Sequence, residues 1–502
     1  MATDNGSAAR HDSRVSTGID GLDALLRGGL TPNRMYLLEG DPGTGKTTLA
    51  LQFLMEGRRR GESTLYITLS ETTEELRGVA DSHSWSLDGL EIFQLAAMET
   101  VRSEEQYTLY HPAEVELGET VKAVLAVIER VQPARIVFDS LSELKLLARD
   151  PLRFRRQILA LKQFFAGRAS TVLLLDDHSA PSDDLQLQSL CHGVILLEQL
   201  PIDYGRARRR LRIVKLRGIP AVEGFHDFVI RRGGMCVFPQ LQVEVSADAR
   251  TFRSTSSGIP ALDNLLGGGL VLAATTVIMG PPGTGKSTLG AQFATTGAAH
   301  TRAAIFLFDE RRASFVARCD ALGMGMSARL AAGEVQVEQI EPGELSPGEF
   351  SHRVRDAVVS GGVGLIFIDS VNGYLNAIPQ TDTPLARMHE LLSFLNERGV
   401  ATIITVAQHG IVGTMMATPL DLSYLADSVV LLRFFEARGA VRRAISVVKK
   451  RTGPHETTIR ELLISEVGLH VGAALSEFQG VLTGVPQYIG EPGPLLHDAE
   501  RR

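Results

Sequence analysis

The residues Gly40–Thr47 have the sequence GDPGTGKT, and the residues Gly280–Ser287 have the similar sequence GPPGTGKS. Both match the glycine-rich pattern that follows a β-strand, opens a helix and wraps a phosphate group. Glycines let backbone N–H groups approach the phosphate closely, and the positive end of the following helix faces the anion. The lysines Lys46 and Lys286 are 286 − 46 = 240 residues apart. The duplicated stretch predicts two nucleotide-binding domains in one chain.

The repeat extends to both sides of this stretch. Three further elements recur in the same order: Thr17-Gly18-Ile19 and Ser257-Gly258-Ile259, Ile136–Ser140 and Ile366–Ser370, and Lys215-Leu216-Arg217 and Lys449-Lys450-Arg451. Order, spacing and chemistry all repeat, which indicates a duplication of about 240 residues. We predict a disordered N-terminus, a first domain, a linker, a second domain and a flexible tail, at residues 1–13, 14–245, 246–256, 257–484 and 485–502.

Short apolar runs alternate with stretches of helical spacing in each half. The runs that we predict as strands are Leu65–Leu69, Ile136–Asp139, Val172–Leu175 and Val194–Leu197, and then Ala304–Phe308, Leu365–Asp369, Thr402–Val406 and Val429–Leu432. Buried strands separated by helices predict an α/β fold in which a mostly parallel sheet is flanked by helices on both faces. Ligands of such a sheet bind beyond the carboxyl ends of its strands.

Composition narrows the class of protein. The chain has 502 residues, 44% hydrophobic residues and a formal net charge of −7. The acidic balance argues against a dedicated nucleic-acid binder, since such proteins usually carry a basic excess. The first thirteen residues lack the apolar stretch of a secretory signal, and the apolar runs are too short to cross a bilayer. We therefore expect a soluble, cytoplasmic protein with no membrane partner.

The phosphate-loop pattern assigns ATP and Mg²⁺ as ligands. The residues predicted to hold the nucleotide are Gly43, Thr44, Gly45, Lys46, Thr47 and Thr48 in the first half, and Gly283, Thr284, Gly285, Lys286, Ser287 and Thr288 in the second. The lysines would reach the β- and γ-phosphates, and the Thr47 and Ser287 hydroxyls would bind Mg²⁺. Asp139 and Asp369 end apolar strands downstream of their loops, as expected of the carboxylate that holds the magnesium shell.

Hydrolysis also needs a carboxylate that orients or deprotonates the attacking water. Ser70-Glu71 in the first half and Asp309-Glu310 in the second follow apolar strands. We predict that Glu71 and Glu310 orient the water, with Asp309 as a second acid and Glu310 as a further candidate metal ligand. The alternative, surface acids at strand ends, stays open.

Late basic residues are candidates to stabilise the γ-phosphate in the transition state. They are Lys215 and Arg217 in the first half, and Lys449 and Arg451 in the second. They lie far in sequence from their own phosphate loops, so contact with a neighbouring subunit's nucleotide would make the active site a property of an oligomer; solvated surface charge is the alternative. Gln408 and Asp177, each following an apolar strand, are candidates to sense the γ-phosphate.

Together these elements resemble the KaiC family, double-domain RecA-like ATPases known from the cyanobacterial clock, from about Ser16 to Pro486. The resemblance rests on the two Gly-Ile openings, the paired phosphate loops and the late basic elements. It implies two tandem RecA-like P-loop domains in two-tiered homohexamers, with ATP between adjacent subunits. It also implies slow hydrolysis in the N-terminal tier, and autokinase and autophosphatase activity on a serine/threonine pair in the C-terminal tier. A KaiB-like partner is implied only at the level of the family.

The chain departs from the family pattern at both kinds of site. The family's adjacent catalytic glutamates align with Ser70-Glu71 and Asp309-Glu310, and Ser70 cannot act as a base, which puts ordinary N-terminal hydrolysis in doubt. Ser423 aligns with the first phosphoacceptor, and Tyr424 stands where the resemblance implies a threonine. We predict autophosphorylation at Ser423, with Tyr424 as a second candidate, against the alternative that both are packed interface residues.

Two other classes of function stay open at this point. A RecA-like DNA-dependent motor or recombinase is one, since Arg58–Arg60 and Arg206–Arg210 are basic clusters, although no aromatic residues interleave them. A non-catalytic scaffold held together by nucleotide is the other. DNA-stimulated, salt-sensitive turnover would indicate the first, and oligomers without turnover would indicate the second.

Overall fold

The computed structural model describes residues 14–95, 112–148, 150–177, 184–201, 205–242, 253–297, 301–376, 384–408, 424–437, 439–482 and 486–490. The chain divides into two compact units, Met1–Gln240 and Leu241–Arg502. The finer domain, linker and tail bounds given above stay a prediction.

The first unit is built on a nine-stranded sheet with the strand order β3-β2-β4-β5-β1-β6-β7-β8-β9. Its elements are α1 (Asp20–Leu25), β1 (Met35–Gly40), α2 (Lys46–Arg59), β2 (Thr64–Thr68), α3 (Thr73–Ser82), β3 (Glu91–Gln94), α4 (Pro112–Val131), β4 (Arg135–Asp139), α5 (Leu141–Ala148), α6 (Pro151–Phe165), β5 (Thr171–Asp177), α7 (Asp184–Leu190), β6 (Gly193–Leu200), β7 (Arg208–Leu216), β8 (His226–Arg231) and β9 (Gly234–Phe238). The first six strands of this order, from β3 across to β6, pair in parallel. Strands β7, β8 and β9 then extend the sheet as antiparallel strands.

The second unit repeats this architecture, with the strand order β14-β13-β15-β16-β12-β17-β18-β19-β20. Its elements are β10 (Ser254–Thr255), α8 (Pro260–Leu265), β11 (Leu270–Val271), β12 (Thr275–Gly280), α9 (Lys286–Gly297), β13 (Arg302–Leu307), α10 (Arg312–Ala321), α11 (Met326–Ala331), β14 (Val335–Gln339), α12 (Pro347–Val359), β15 (Val363–Asp369), α13 (Val371–Asn376), α14 (Pro384–Glu397), β16 (Ala401–Ala407), β17 (Ser428–Ala437), β18 (Ala440–Lys450), β19 (Arg460–Ser465), β20 (Gly468–Ala474), β21 (Phe478–Gln479) and β22 (Gln487–Tyr488).

Each sheet is buried on both faces, because helices pack on either side of its parallel strands. The central strands β1, β2 and β4 are buried along their whole length, as continuous apolar runs predict. The α/β prediction is confirmed, and the predicted strands lie in or directly beside observed ones. The antiparallel strands at the end of each sheet, which carry many charged residues, were not predicted. No helix in the described part of the chain is long and apolar enough to cross a membrane.

The register of the parallel strands brings the predicted site residues to one edge of each sheet. In the first unit Gly40 pairs with Asp177, and Thr68 pairs with Asp139. The phosphate loop leaves β1 directly after Gly40 and ends where α2 begins. The carboxyl ends of β1, β2, β4 and β5 therefore converge on the loop, where ligands of such sheets bind.

Candidate active sites

Both phosphate loops need glycine at the residue before the helix. Gly45 and Gly285 have φ angles of +104° and +99°, in the region that side chains rarely adopt. A Cβ atom at Gly45 would lie 2.4 Å from Ile230 Cδ1, and one at Gly285 would lie 2.4 Å from Ile464 Cδ1. Both the backbone conformation and the packing therefore exclude a side chain here, which keeps the loop N–H groups open to an anion.

The other predicted nucleotide ligands lie on the loop and the first helical turn. Thr44 and Thr284 hydroxyls donate to the carbonyls of Asp41 and Pro281, each at 2.8 Å, and so close the same turn in both halves. Gly43 and Gly283 have φ angles of +82° and +83°. Thr48 and Thr288 are buried one residue beyond the predicted magnesium ligands Thr47 and Ser287.

The two phosphate-loop lysines differ in their contacts. Lys46 Nζ donates to the Gly40 carbonyl at 2.6 Å and the Asp41 carbonyl at 3.1 Å, and lies 2.8 Å from Asp177 Oδ1. Lys286 Nζ donates to the Pro281 carbonyl at 2.9 Å. Burial lowers the pKa of Lys286, although nearby acidic side chains partly counteract this. The lysine of the first half is thus ion-paired with a carboxylate at the end of β5.

In the first half, Asp139 is buried and Glu71 is partly buried beside the start of α2. Tyr66 OH donates to Asp139 Oδ2 at 2.5 Å. Burial raises the pKa of Asp139, although the Tyr66 hydrogen bond partly offsets it. The Thr47 hydroxyl donates to Glu71 Oε1 at 3.4 Å, while Glu71 Oε2 is buried without a hydrogen-bond partner. Burial, followed by the nearby negative charge of Asp139, raises the pKa of Glu71 to about 7.

In the second half, each acid has a different partner. Thr405 donates its hydroxyl to Asp369 Oδ1, and burial raises the pKa of this carboxyl. The Ser370 hydroxyl donates to Asp309 Oδ2 at 2.5 Å. Glu310 accepts from Arg318 at both oxygens, with Nε–Oε1 at 3.3 Å and Nη2–Oε2 at 2.6 Å.

Arg318 is a site residue that sequence reasoning missed. Besides Glu310, it contacts the phosphate-loop helix, since Nη1 donates to Thr288 Oγ1 at 2.9 Å. It is the seventh residue of α10, and the seventh residue of the matching helix α3 is Val79. Comparing these two helices position by position was the signal that could have found it. Within the described residues no arginine pairs with Glu71, whereas Arg318 pairs with Glu310.

The donor set of the first half fits Mg²⁺. A Thr47 hydroxyl and a strand-end carboxylate at Asp139 are oxygen donors, which this hard cation prefers. Ser287 and Asp369 form the corresponding set, and a hydrogen bond between them lowers the pKa of Asp369 against the effect of burial. Within the described ranges no group of three His, Cys, Asp or Glu side chains could hold a metal ion.

The late cations of the first half lie at the opposite end of the sheet from their own phosphate loop. Lys215 pairs with Val194 near the amino end of β6, whereas the loop leaves the carboxyl end of β1. Lys215 Nζ donates to the Gln188 carbonyl at 2.6 Å, and Arg217 Nη2 donates to the Ser189 carbonyl at 2.7 Å. The structure does not bring these cations to the phosphate loop of their own domain.

The late cations of the second half occupy the same place, and one contacts the predicted phosphoacceptor segment. Lys449 pairs with Val429 at the start of β17. Arg451 Nη2 donates to the Tyr424 carbonyl at 3.0 Å, and Arg451 Nη1 lies 3.6 Å from Asp427 Oδ1. The Tyr424 side chain is half exposed. Ser423, the first predicted acceptor, lies outside the described residues.

Two further side chains lie beside the second phosphate loop. Gln408 is buried, its backbone N–H donates to the Gly280 carbonyl at 3.2 Å, and its Oε1 has no hydrogen-bond partner. Arg443, which sequence reasoning missed, donates from Nε to the Gly283 carbonyl at 3.2 Å. Strand β18 carries this arginine across the sheet to the loop, a contact that only the antiparallel register reveals.

Comparison with known proteins gives one consistent result. The family model described as the KaiC ATPase matches residues 15–242 and again residues 255–476. "Circadian clock protein KaiC3" of Synechocystis sp. is 26% identical over 488 residues, which covers 95% of each chain. "Circadian clock oscillator protein KaiC" of Parathermosynechococcus lividus is 25% identical over 96% of this chain and 90% of that protein, and the protein of the same name from Synechococcus elongatus is 24% identical over 97% and 94%. With two phosphate loops on two matching sheets, this chain belongs to the KaiC family of ATPases.

Proposed function

We propose that this chain hydrolyses ATP at both phosphate loops, as a homohexamer that holds ATP between adjacent subunits, and that it phosphorylates itself in the second half. The observation that carries the proposal is the repeated convergence, at one sheet edge, of a loop lysine, a strand-end aspartate and a glutamate. The membership of the KaiC family supports ATP as the nucleotide and a role in a clock or in signalling.

In the first half, Lys46 and the loop N–H groups bind the phosphates, and Glu71 orients and deprotonates the attacking water. A general base works best when its pKa is close to the working pH, and the raised pKa of Glu71, about 7, meets that condition. Thr47 and Asp139 would hold a Mg²⁺ ion, whose chemistry there is to neutralise phosphate charge. The buried surroundings of Asp139 exclude bulk water from the same side.

In the second half, the contacts favour slower hydrolysis. Arg318 occupies both oxygens of Glu310, so this carboxylate orients water less freely, and it binds a metal only if the ion pair opens. Ser287 and Asp369 would hold Mg²⁺ there. Slow transfer to water leaves time for transfer to a protein hydroxyl, at Ser423 or, by a longer reach, Tyr424.

The position of the late cations supports an oligomer. Lys215, Arg217 and Arg451 are remote from their own loops, so a role in stabilising the γ-phosphate requires a neighbouring subunit. The Arg451–Tyr424 contact puts a cation and a candidate acceptor on the same edge of the domain. We propose a cytoplasmic homohexamer, with a KaiB-like partner for the first tier as a family-level expectation.

Turnover and self-modification of loop variants test the proposal. We expect Lys46→Ala and Lys286→Ala each to abolish turnover in their own half, and the double variant to be inactive. Light scattering with ATP against ADP gives the oligomeric state, and phosphopeptide mapping after incubation with MgATP gives the acceptor. Hexamers without turnover would support a scaffold instead, and DNA-stimulated turnover would support a motor. If neither Ser423 nor Tyr424 carried phosphate, the proposed autokinase activity would be wrong.

A further inference from the structure

Lys46 of the first phosphate loop forms an ion pair with a strand-end carboxylate, and within the described residues Lys286 of the second loop forms none. Asp177 Oδ1 lies 2.8 Å from Lys46 Nζ, on a lysine that also donates to two loop carbonyls. Asp177 ends β5 in register with Gly40, and the residue in register with Gly280 is Ala407. The two halves thus present a carboxylate and a methyl group at equivalent positions.

The backbone at this position is fixed in the same way in both halves. The Asp177 N–H donates to Ser142 Oγ at 3.1 Å. The Ala407 N–H donates to Asn372 Oδ1 at 2.9 Å, and Asn372 returns a hydrogen bond to the Ala407 carbonyl at 3.3 Å. The second residues of α5 and α13 thus hold matching strand ends, and the side chain that follows is a carboxylate in the first half and a methyl group in the second.

The ion pair puts Asp177 close to any phosphate that Lys46 binds. A charge-assisted hydrogen bond from Nζ to a phosphate oxygen is about 2.8 Å long. Lys46 Nζ has three N–H groups, so a phosphate oxygen replaces one of the loop carbonyls while Asp177 keeps its contact, and that oxygen then lies within about 6 Å of Asp177 Oδ1. At this separation two negative charges repel by more than the thermal energy, even at an effective dielectric constant of about 20.

We propose that Asp177 makes the first half selective for a nucleoside diphosphate over a nucleoside triphosphate, relative to the second half. The inference rests on the proposed nucleotide-binding function of both loops. The γ-phosphate brings additional negative charge to Lys46, so the carboxylate opposes ATP more strongly than ADP. Asp177 acts as a specificity residue, because it adjoins the lysine that contacts the phosphates. The Asp177 side chain is about a third exposed, so solvent weakens this repulsion but does not remove it.

Titration of the full chain with ATP and with ADP tests this inference. The Lys286→Ala background silences the second loop, and binding is measured by calorimetry with Mg²⁺ and again with EDTA. We expect Asp177→Asn to raise ATP affinity about tenfold and ADP affinity by less than about threefold, a modest figure because the carboxylate is partly solvated. Asp177→Ala, which removes the side chain, should give the same change of ratio.

The second half supplies the matched control. In the Lys46→Ala background, Ala407→Asp introduces the carboxylate, and we expect it to lower ATP affinity about tenfold while ADP affinity changes less. An unchanged ATP:ADP ratio in Asp177→Asn, or weaker ATP binding with Mg²⁺, would overturn the inference and leave the proposed function intact. If the Lys286→Ala chain bound neither nucleotide, with or without Asp177→Asn, both would be overturned.

Discussion

Glu71 and Glu310 follow equivalent strands of two matching sheets, yet they lie in opposite electrostatic surroundings. Glu71 has one hydroxyl partner and a buried, unpartnered oxygen, and its pKa is raised to about 7. Glu310 is held at both oxygens by Arg318. The duplicated loop therefore does not imply duplicated chemistry. One helix position that differs is valine in α3 and arginine in α10, and this arginine forms the ion pair that holds Glu310.

The largest expected effect is on hydrolysis by the first half. We expect Glu71→Gln, in the Lys286→Ala background, to lower the turnover number by about 10²–10⁴, because general-base catalysis is worth that much. The matched variant Glu310→Gln, in the Lys46→Ala background, should lower turnover by less than about tenfold, since Arg318 already occupies that carboxylate. Steady-state phosphate release measures both. If turnover fell equally in the two halves, Glu71 and Glu310 would not differ in their roles as proposed.

The next effect is on stability, at a position where the halves also differ. Arg135, four residues before Asp139, is fully buried and donates to Glu62 and to the carbonyls of Ser16 and Phe53. The residue four before Asp369 is Leu365, and it is also buried. We expect Arg135→Ala to cost about 3–5 kcal/mol, because it leaves buried acceptors unpaired and opens a cavity.

Urea unfolding followed by circular dichroism measures that cost. Arg135→Leu fills part of the volume without restoring the hydrogen bonds, so it should rescue only part of the loss. Leu365→Ala is the control for a cavity alone, at about 2–5 kcal/mol. Full rescue by leucine would mean that the hydrogen bonds of Arg135 contribute nothing to stability.

A smaller effect appears in the dependence of stability on pH. Because Glu71 has a raised pKa in the folded state, the fold binds its proton more tightly than the unfolded chain does. The free energy of unfolding therefore falls as the pH rises from about 4.5, the ordinary pKa of the group, to about 7, its pKa in the folded protein. In metal-free, nucleotide-free protein, Glu71→Gln should therefore raise the free energy of unfolding at pH 8 but hardly change it at pH 5. The increase should be about 1–2 kcal/mol, after allowance for partial solvation.

Glu310→Gln provides the contrast for that measurement. It leaves Arg318 without its carboxylate, so it should destabilise the protein by up to about 1 kcal/mol at both pH values. The two substitutions are chemically identical and should have opposite signs at pH 8. Effects of the same sign would contradict the different surroundings of the two glutamates.

The smallest expected effect comes from exchanging the residues that distinguish the helices. Arg318→Val, in the Lys46→Ala background, should raise hydrolysis by the second half up to about tenfold, because it frees Glu310. Val79→Arg, in the Lys286→Ala background, should lower hydrolysis by the first half by a similar factor. Phosphate release at saturating ATP measures the pair. A fall in turnover with Arg318→Val would mean that the arginine assists the reaction.

Most of the fold and part of the site could be predicted from the sequence. The phosphate loops and the strand-end aspartates were predictable, because glycine spacing and apolar runs are local signals. The hydrogen-bond partners of these residues were not predictable, since they depend on the register between distant segments. Tyr66 donates a hydrogen bond to Asp139, whereas Thr405, on a strand that does not correspond, donates one to Asp369. Residue identities alone favoured the second half, with its two acids, for base catalysis. The ion pair between Arg318 and Glu310 instead favours the first half for base catalysis.

The central claim is tested most directly by measuring phosphate release at saturating ATP from two full-length chains, Lys286→Ala and Lys46→Ala. Phosphopeptide mapping is done on the same samples. The claim is that two equivalent loops support two different reactions. We predict that the Lys286→Ala chain retains most of the hydrolysis, and that the Lys46→Ala chain hydrolyses about tenfold less while it incorporates phosphate in the segment of Ser423 and Tyr424. Hydrolysis carried mainly by the Lys46→Ala chain, or phosphate incorporation that depends on Lys46, would contradict the account.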